Sequence, residues 1–396
     1  MRAQRVPVPE ARVTHWDTQD LRLARWGIAL RHRPGEGWRL SLPGGNGAKP
    51  PTDGSTELTF AGGPTRPPTK AKDLVLGYVR HADLTPVYRG PQVDRPTPAR
   101  QTPDGVRGAA PAGEVIRRAL SSSVVRLLRH DPGVRIGRDP EDVHQARVAT
   151  RRLRSDLRTF RPLLQREWSE KLREELRWLG AELGRVRDAE VLRDRLAAAV
   201  ERLPDEDRAA GREAVKPLET EVRSARRQLL AGMRSPRYLD LVDHLLAAAD
   251  APKLAEAARR PAVKVIPRLV RRPWRQLRKR ARRVTVDSPD AQLHDLRIRA
   301  KRCRYAAEAA APVAGKRAAG LARSCANLQD LLGEWHDGVV AEGWLRKRST
   351  SPQLTAGEEF AAGQLAAEQR AEAAQTRTRW PRAWRQIARR KRSWMR

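Results

Sequence analysis

The sequence predicts a mainly α-helical protein: two pseudo-symmetric four-helix bundles preceded by a small β-rich N-terminal fragment. Three observations support this. Charged residues make up 32% of the chain and aromatic residues only 5%, a balance that favours amphipathic helices over a β-sandwich. Prolines interrupt long Ala-, Leu-, Arg- and Glu-rich runs at intervals that suit helix ends. At 396 residues the chain is long enough for two or three domains.

The charge of the chain predicts a polyanionic partner. Its net charge of +33 and pI of 11.4 add repulsion to the folded state. Nucleic acid, an anionic membrane surface and inorganic polyphosphate would each compensate it. With only two cysteines, Cys303 and Cys325, a disulfide framework is excluded. The sequence shows neither a secretory signal nor an apolar run that could span a bilayer, so we expect a cytoplasmic protein without a membrane span.

The first 90 residues differ in texture from the remainder. Alternating runs at 28–31 and 38–42, separated by Gly/Pro turns, predict strands, and 70–82 has helical spacing. We expect no further strand between this helix and a Pro/Gly-rich linker at 91–111.

Helical periodicity continues from about residue 112 to residue 390. The predicted helices cover about 113–130, 141–161, 166–200, 206–231, 236–249, 262–284, 290–310, 316–347 and 356–375. Pro132 and several other prolines are expected between helices, whereas Pro267 and Pro273 predict a kink or break inside one. The basic, Trp-containing stretch 376–396 is compatible with either a docked terminal helix or a loose tail.

An internal repeat dominates the helical part. VHQARVATRRLRS (143–155) aligns without gaps to LHDLRIRAKRCRY (293–305), and LGRVRDAEV (183–191) aligns to LGEWHDGVV (332–340). Because both pairs are separated by about the same length of chain, a duplication with halves at about 112–250 and 251–390 is expected, each forming a four-helix bundle.

The spacing within the repeat places cations on one helix face. At about 100° per residue, five residues of the first copy fall within an arc of roughly 80°. These residues, the first basic stripe, are His144, Arg147, Arg151, Arg154 and Arg158. The second basic stripe contains His294, Arg297, Lys301 and Arg304. Arg152 and Arg302 are further candidate ligands beside the stripes.

Arginine suits phosphate because its fork donates to two oxygens and it keeps its charge at neutral pH. Like charges on one helix face repel each other, and a bound polyanion would remove that cost. The alternative is that these residues form an ordinary solvated helix face. This alternative has less weight for a pattern that occurs twice than for one that occurs once. Asp188 and Asp337, which match in the second aligned block, are expected to orient the arginines, with metal ligation or helix capping as alternatives.

These motifs resemble the CHAD domain (conserved histidine α-helical domain) over residues 112–390. The resemblance implies two four-helix bundles, a basic central pore and binding of inorganic polyphosphate. It also implies that His144, Arg147, Arg151, Arg152 and Arg154, and likewise His294, Arg297, Lys301, Arg302 and Arg304, are ligands.

The N-terminal segment, residues 1–90, resembles part of a CYTH (triphosphate tunnel) domain through HWDTQDLRLARWGIALRHRPGEGWRLSLP and STELTF. It lacks the Glu-x-Glu-x-Lys strand that holds the metal in such enzymes, and only Glu57 remains of a usual Arg-x-Glu pair. The sequence therefore favours a binding protein rather than a triphosphatase, with no catalytic residues, no metal and no cofactor.

The predicted function is polyphosphate binding through a groove or pore lined by His, Arg and Lys, with polyphosphate granules as the expected location. Nucleic-acid binding is the main alternative, because the same charge and the Arg/Trp-rich tail would also suit it. The scarcity of aromatic residues in the repeated motif argues against it. The oligomeric state is not predicted.

Overall fold

The computed structural model describes residues 13–43, 56–90, 110–389 and 393–395. Its N-terminal part contains a five-stranded antiparallel sheet and one helix. The strands are β1 (Val13–Asp17), β2 (Ala29–Arg33), β3 (Gly37–Leu42), β4 (Thr56–Phe60) and β5 (Thr85–Gly90), and the helix is α1 (Thr69–Val79). In the sheet the strand order is β4-β3-β2-β1-β5.

One face of this sheet forms the core of the N-terminal part. Leu30 pairs with Leu40 and His32 with Trp38 across β2 and β3, so these side chains share a face. The rings of Trp16 and Trp38 pack 5.4 Å apart, and the Trp38 indole donates to the Gly63 carbonyl oxygen. Strands β2 and β3 lie where alternation predicted them, because their apolar residues occupy every second position.

The prediction that no strand follows α1 is wrong. Strand β5 pairs with β1 along its whole length, with an irregularity between His15 and Trp16. Four consecutive residues of β5, Pro86 to Arg89, are exposed, so β5 lacks the buried alternation by which a strand is recognised.

The remaining described residues are almost all helical. The helices are α2 (Ala112–Ile136), α3 (Pro140–Thr159), α4 (Arg166–Val200), α5 (Asp205–Val215), α6 (Pro217–Arg234), α7 (Pro236–Asp250), α8 (Ala262–Leu269), α9 (Arg271–Ala281), α10 (Asp290–Ser349), α11 (Ala356–Arg377) and α12 (Trp380–Ala388). The expected mainly α-helical fold with a small N-terminal sheet is confirmed.

The structure corrects two of the predicted helix boundaries and agrees with two others. The helix expected at 206–231 is divided before Pro217, which begins α6, where its missing N–H costs nothing. Pro132 lies inside α2 rather than between helices. The break expected near Pro267 and Pro273 is present between α8 and α9, and Gly315, at φ 59°, kinks α10 near the predicted boundary.

The tail left open in the sequence forms a docked helix over its described part. Trp380, Trp384 and Ile387 of α12 are buried. The linker predicted at 91–111 lies outside the described residues except for its last two positions. The division of the helical part into halves stays a prediction.

By backbone contacts the chain forms two compact units. The first contains residues 1–103, 124–149 and 230–246, and the second contains residues 104–123, 150–229 and 247–396.

A buried polar network joins α1, α2 and α7 in the first unit. The Asp131 carboxylate accepts from the Arg135 guanidinium at 2.7 Å and from the Tyr238 hydroxyl at 2.5 Å, and the side chains of Asp131 and Arg135 are inaccessible to solvent. A Cβ atom at Gly77 would lie 2.9 Å from the Asp131 side chain, so α1 approaches α2 this closely only with glycine there. The Tyr78 hydroxyl donates to the Leu128 carbonyl oxygen of α2.

A pair of reciprocal hydrogen bonds relates the two copies of the repeat in the second unit. Pro111 and Pro261 form an isolated antiparallel bridge. Ala112 N–H donates to the Arg260 carbonyl oxygen, and Ala262 N–H donates to the Ala110 carbonyl oxygen, both at 2.9 Å. Since Ala112 corresponds to Ala262 and Ala110 to Arg260 in the repeat, the two bonds are equivalent to each other, and a local pseudo-twofold axis passes through this bridge.

The buried network leads to a stability prediction. Replacing Arg135 with Ala leaves the Asp131 carboxylate buried without its cation, so we expect the free energy of unfolding to fall by about 3–5 kcal/mol. Denaturant unfolding of the full chain measures it. The matched control is Arg234→Ala, whose guanidinium is 53% exposed and bonds Asp73; it should cost less than about 1 kcal/mol. Equal losses in the two variants would contradict the assigned role of Arg135.

Candidate anion-binding site

The first basic stripe lies along α3, with apolar residues on the opposite side. Val143, Leu153 and Leu157 are buried to 1% exposure or less. The stripe residues from His144 to Arg154 are partly exposed, and Arg158 is exposed. The predicted division of α3 into a packed face and a cationic face is therefore present.

The second basic stripe repeats this arrangement at the start of α10. Leu293, Leu296 and Cys303 are fully buried, as Val143, Ala146 and Leu153 are at the corresponding positions. Cys325 is also buried, so both cysteines are buried thiols. The residues His294, Arg297, Lys301 and Arg304 are partly exposed, and Arg302 is exposed.

The two copies meet where α3 ends. The Tyr305 ring of the second copy lies within cation–π distance of two guanidinium groups, Arg151 of the first copy and Arg304 of its own, each 5.7 Å from the ring centroid. The Glu308 carboxylate accepts from Arg304 at 2.7 Å and from Arg152. One carboxylate thus bridges an arginine from each copy.

Two of the predicted ligands, Arg152 and Arg304, also have a structural role because both bond Glu308. It occupies the position of the second copy that corresponds to Arg158 in the first. Arg152 also lies 3.4 Å from the buried Asp156 carboxylate. Arg152 and Arg304 therefore hold the two helices together as well as contributing charge. The sequence analysis did not single out Glu308, because a lone Glu after an Arg-rich run looks like an ordinary helical ion pair.

Beside this junction lies a cavity of about 700 Å³, here called the arginine cavity. Its lining includes Arg158 from the first copy and Arg302 from the second. The other arginines that line it are Arg161, Arg166, Arg173, Arg268 and Arg272. Among the residues described along its lining none is acidic, although Glu170 pairs with both Arg161 and Arg173.

The crowding of cations at the arginine cavity perturbs the titration of Arg158. Although this residue remains accessible to solvent, partial desolvation of its guanidinium and the charges of Arg302, Arg173 and Arg154 lower its pKa to about 10. Burial and the charges of Arg177 and Arg173 likewise lower the pKa of Arg154. Both side chains stay charged at neutral pH, so the repulsion remains until an anion offsets it.

Corresponding arginines of the two copies lie over corresponding positions of the long helices that follow. A Cβ atom at Gly180 of α4 would lie 3.4 Å from the Arg154 guanidinium. In the second copy Arg304 donates to the side chain of Gln329, which aligns with Gly180. This agreement of contacts supports the duplication seen in the sequence.

A second group of charged residues surrounds His336 in α10. The rings of His294 and His336 lie 5.0 Å apart. Burial, together with the charges of Arg297, His294 and Lys301, lowers the pKa of His336 to about 4, while the charge of Asp188 acts in the opposite direction.

The two matched aspartates belong to this group. Burial raises the pKa of Asp337, opposed mainly by the charges of Arg297 and Arg195, and the charge of Asp188 raises it further. Asp188 and Asp337 therefore lie among the cations, as expected of residues that orient them. Within the described ranges, no three His, Cys, Asp or Glu side chains are grouped as metal ligands would be.

Five cavity arginines escaped the sequence analysis: Arg161, Arg166, Arg173, Arg268 and Arg272. They follow the repeated motif or lie on α8 and α9, where no motif was recognised. A signal was available, since PAGEVIRRAL (111–120) and PAVKVIPRLV (261–270) align at the offset of the His-centred blocks. That alignment matches Arg118 to Arg268 and marks the start of each copy.

Comparisons with known proteins agree on the family of the helical part. The family model of the CHAD domain matches residues 118–346. Over 301 residues the chain is 31% identical to an uncharacterized protein of Mycobacterium tuberculosis, found in two strains; the match covers 74% of this chain. The chain spans only 56% of the length of these relatives.

Two solved structures have a similar fold. The CHAD domain from the plant Ricinus communis has a TM-score of 0.58 and 26% sequence identity, covering 74% of this chain and 96% of that one. PptA from Streptomyces chartreusis has a TM-score of 0.59 at 23% identity, covering 70% of this chain and 100% of that one. In the described part of the chain, no helix is both long and apolar enough to cross a bilayer.

The buried Asp156 leads to a pH-dependent stability prediction. Burial raises its pKa to about 6, against the opposing charge of Arg152. Protonation therefore stabilises the folded state, and this contribution is lost as the pH rises through 6. Asp156→Asn removes the ionisation, so relative to wild type it should gain about 1–2 kcal/mol more at pH 8 than at pH 5.

Thermal unfolding at the two pH values measures this gain. Asp330→Asn, which replaces an exposed carboxylate, should show no comparable difference. An Asp156→Asn effect independent of pH would contradict the assignment.

Proposed function

Because the chain belongs to the CHAD domain family, we propose that it binds inorganic polyphosphate, held electrostatically between the two copies of its repeated motif. The observation that carries the proposal is the arginine cavity, which takes Arg158 from one copy and Arg302 from the other. A linear phosphate chain places a negative charge on every unit, so it compensates closely spaced cations along its length.

The chemistry of the cavity suits phosphate more than it suits a single carboxylate. Each guanidinium group donates two parallel hydrogen bonds to phosphate oxygens, and its charge persists at neutral pH. Desolvation and, after it, the repulsion from Arg302, Arg173 and Arg154 lower the pKa of Arg158, and a bound anion would offset that repulsion. The proposed ligand set keeps the predicted residues His144, Arg147, Arg151, Arg154, Arg158, His294, Arg297, Lys301 and Arg302, with Arg152 and Arg304 acting mainly through Glu308.

Polyphosphate is favoured over nucleic acid because the cavity lining contains no aromatic side chain among its described residues. Single-stranded nucleic acids gain much of their affinity by stacking bases on aromatic rings. The proposal includes localisation at cytoplasmic polyphosphate granules, which such a site would support.

We propose no triphosphatase activity for the N-terminal sheet. Glu57, the carboxylate that remains of the tunnel pattern, accepts from Arg31 at 2.8 Å and from the Ser41 hydroxyl at 3.3 Å. The hydrogen bond and charge of Arg31 outweigh burial and lower the pKa of Glu57. This carboxylate is thus already compensated by protein cations, which weakens it as a ligand for a divalent metal.

Reversing the charge of two cavity residues tests the proposal. Arg158→Glu combined with Arg302→Glu should weaken binding of long-chain polyphosphate at least about a hundredfold, because several phosphate contacts are lost and repulsion is added. Isothermal titration calorimetry at a fixed salt concentration measures this loss, and circular dichroism checks that the helices persist.

The matched control reverses Arg223 and Arg227, which are exposed on α6, away from the cavity lining. It changes the net charge of the protein by the same amount, so it should lower the affinity only a few-fold. Equal losses in both variants would mean that overall charge, not the cavity, binds the chain. Displacement of polyphosphate by single-stranded DNA at equal phosphate concentration would favour nucleic acid instead.

A titration of His336 provides a second test. Neighbouring cations and burial hold its pKa at about 4, so it is neutral at pH 7. A polyanion bound along the second basic stripe adds negative charge nearby, so the pKa should rise toward the ordinary 6.5 and affinity should increase as the pH falls. NMR of the histidine ring with and without polyphosphate measures the pKa. An unchanged pKa would place the chain away from His294, Arg297 and Lys301.

A further inference from the structure

We infer that the outward faces of α9 and α12 form a second polyanion surface, which binds the part of a long polyphosphate chain extending beyond the arginine cavity. This inference rests on the proposed function and makes affinity depend on chain length. The surface, here called the outer basic surface, consists of exposed arginines on α9 and α12 and at the residue that caps the end of each helix: Arg271, Arg275, Arg278 and the cap Arg282, and Arg382, Arg385 and the cap Arg389.

Arginines occupy every position along the centre of the exposed side of α9. Residues 271, 275, 278 and 282 fall within an arc of about 60° and span about 16 Å along the helix axis. All four side chains are exposed, whereas Trp274, Leu277 and Ala281 on the other side are buried. Between Glu256 and Asp287 the sequence contains no acidic residue. Charges three and four positions apart therefore repel each other without a counter-charge on their own helix.

Helix α12 extends this surface. It packs against α9 through Trp384, whose ring centroid lies 5.9 Å from that of Trp274. Its buried side holds Trp380, Trp384 and Ile387, and its exposed arginines fall on the opposite side. The tryptophans thus fix α12 with its cations facing solvent.

The outer basic surface is continuous with the arginine cavity. Arg268 of α8 and Arg272 of α9 line the cavity, and Arg271 and Arg275 are their neighbours on the solvent side of the same short helical segment. A chain that leaves the cavity at Arg272 therefore meets another row of guanidinium groups without crossing an acidic stretch of α9.

In the first copy of the repeat, the positions that correspond to two of these arginines are apolar and buried. Arg275 and Arg278 align with Val125 and Leu128 of α2, which are buried. Leu128 accepts a hydrogen bond from Tyr78 of α1. One copy of the repeat thus presents an apolar surface covered by the N-terminal helix, whereas the other presents cations to solvent. The apolar residues of the first copy are buried within the protein. The corresponding cations of the second copy are exposed to solvent, where a partner of opposite charge would stabilise them.

Polyphosphate fits this surface better than nucleic acid. The tryptophans that the sequence analysis considered for base stacking, Trp380 and Trp384, are exposed by only 2% and 9%. Bases would find no exposed aromatic ring among the described residues of α9 and α12. A polyphosphate chain has no bases to stack, so it needs no exposed aromatic ring to bind.

The test compares tripolyphosphate, long-chain polyphosphate and single-stranded DNA as ligands of the full-length wild type and two variants. Tripolyphosphate is short enough to occupy the cavity alone, whereas long-chain polyphosphate reaches the outer surface. Neutralising Arg271, Arg275, Arg278 and Arg282 to Gln should lower affinity for the long chain at least about tenfold. It should also reduce the slope of log affinity against log salt by about three, the value for four contacts on a single-stranded polyanion. Affinity for tripolyphosphate should change less than about twofold.

Neutralising four exposed arginines elsewhere, Arg185, Arg212, Arg223 and Arg227, gives the control for total charge and should leave both affinities within about twofold. If the α9 variant binds long chains as the wild type does, the inference is overturned while the proposed function stands. If the wild type binds neither ligand, the proposed function fails first. If the α9 variant loses single-stranded DNA binding but keeps long-chain polyphosphate binding, the outer surface is a nucleic-acid site and the inference is overturned.

Discussion

The contact between two like-charged helices is the constraint on which the helical part depends. Duplication of an Arg-rich helix and packing of the copies side by side brings guanidinium groups from both copies together, and such an arrangement is unfavourable without compensation. Glu308 supplies that compensation, because it bonds Arg152 from one copy and Arg304 from the other. The Tyr305 ring makes cation–π contacts with both Arg151 and Arg304 at the same junction. Arg158 and Arg302, which Glu308 does not bond, line the cavity.

Much of the helical architecture follows from sequence periodicity, because the helices have apolar faces and several of them, including α3, α6, α7 and α10, begin at or directly after a proline. The buried and cationic faces of α3 and the start of α10 could be assigned from spacing alone, since 3.6 residues per turn fix which side chains share a face. The contact between the two copies, in which Glu308 bonds Arg152 and Arg304, could not be predicted from spacing. Nothing local distinguishes Glu308 from any other Glu four residues after an Arg, and its partner Arg152 lies more than 150 residues earlier in the chain.

The cavity arginines on α4 and α8 were missed for a related reason. A cavity gathers side chains from several elements, and the His-centred motif supplies only Arg158 and Arg302 of its lining. Strand β5 escaped because its exposed edge lacks alternation. The Asp131–Arg135 network was invisible as well, because buried ion pairs and exposed ones have the same residue types, and only Gly77 shows how closely the helices approach.

The replacement of Arg158 by Glu308 at the equivalent position of the repeat also gives the site a direction. One half of the proposed site therefore carries a cation where the other carries an anion, so its two ends are not equivalent for an approaching polyanion. A linear phosphate chain reads the same from either end, and reversing it within the site changes no contact. The asymmetry would therefore select the end of the site at which a chain enters, while successive molecules bound along one polymer could face in either direction.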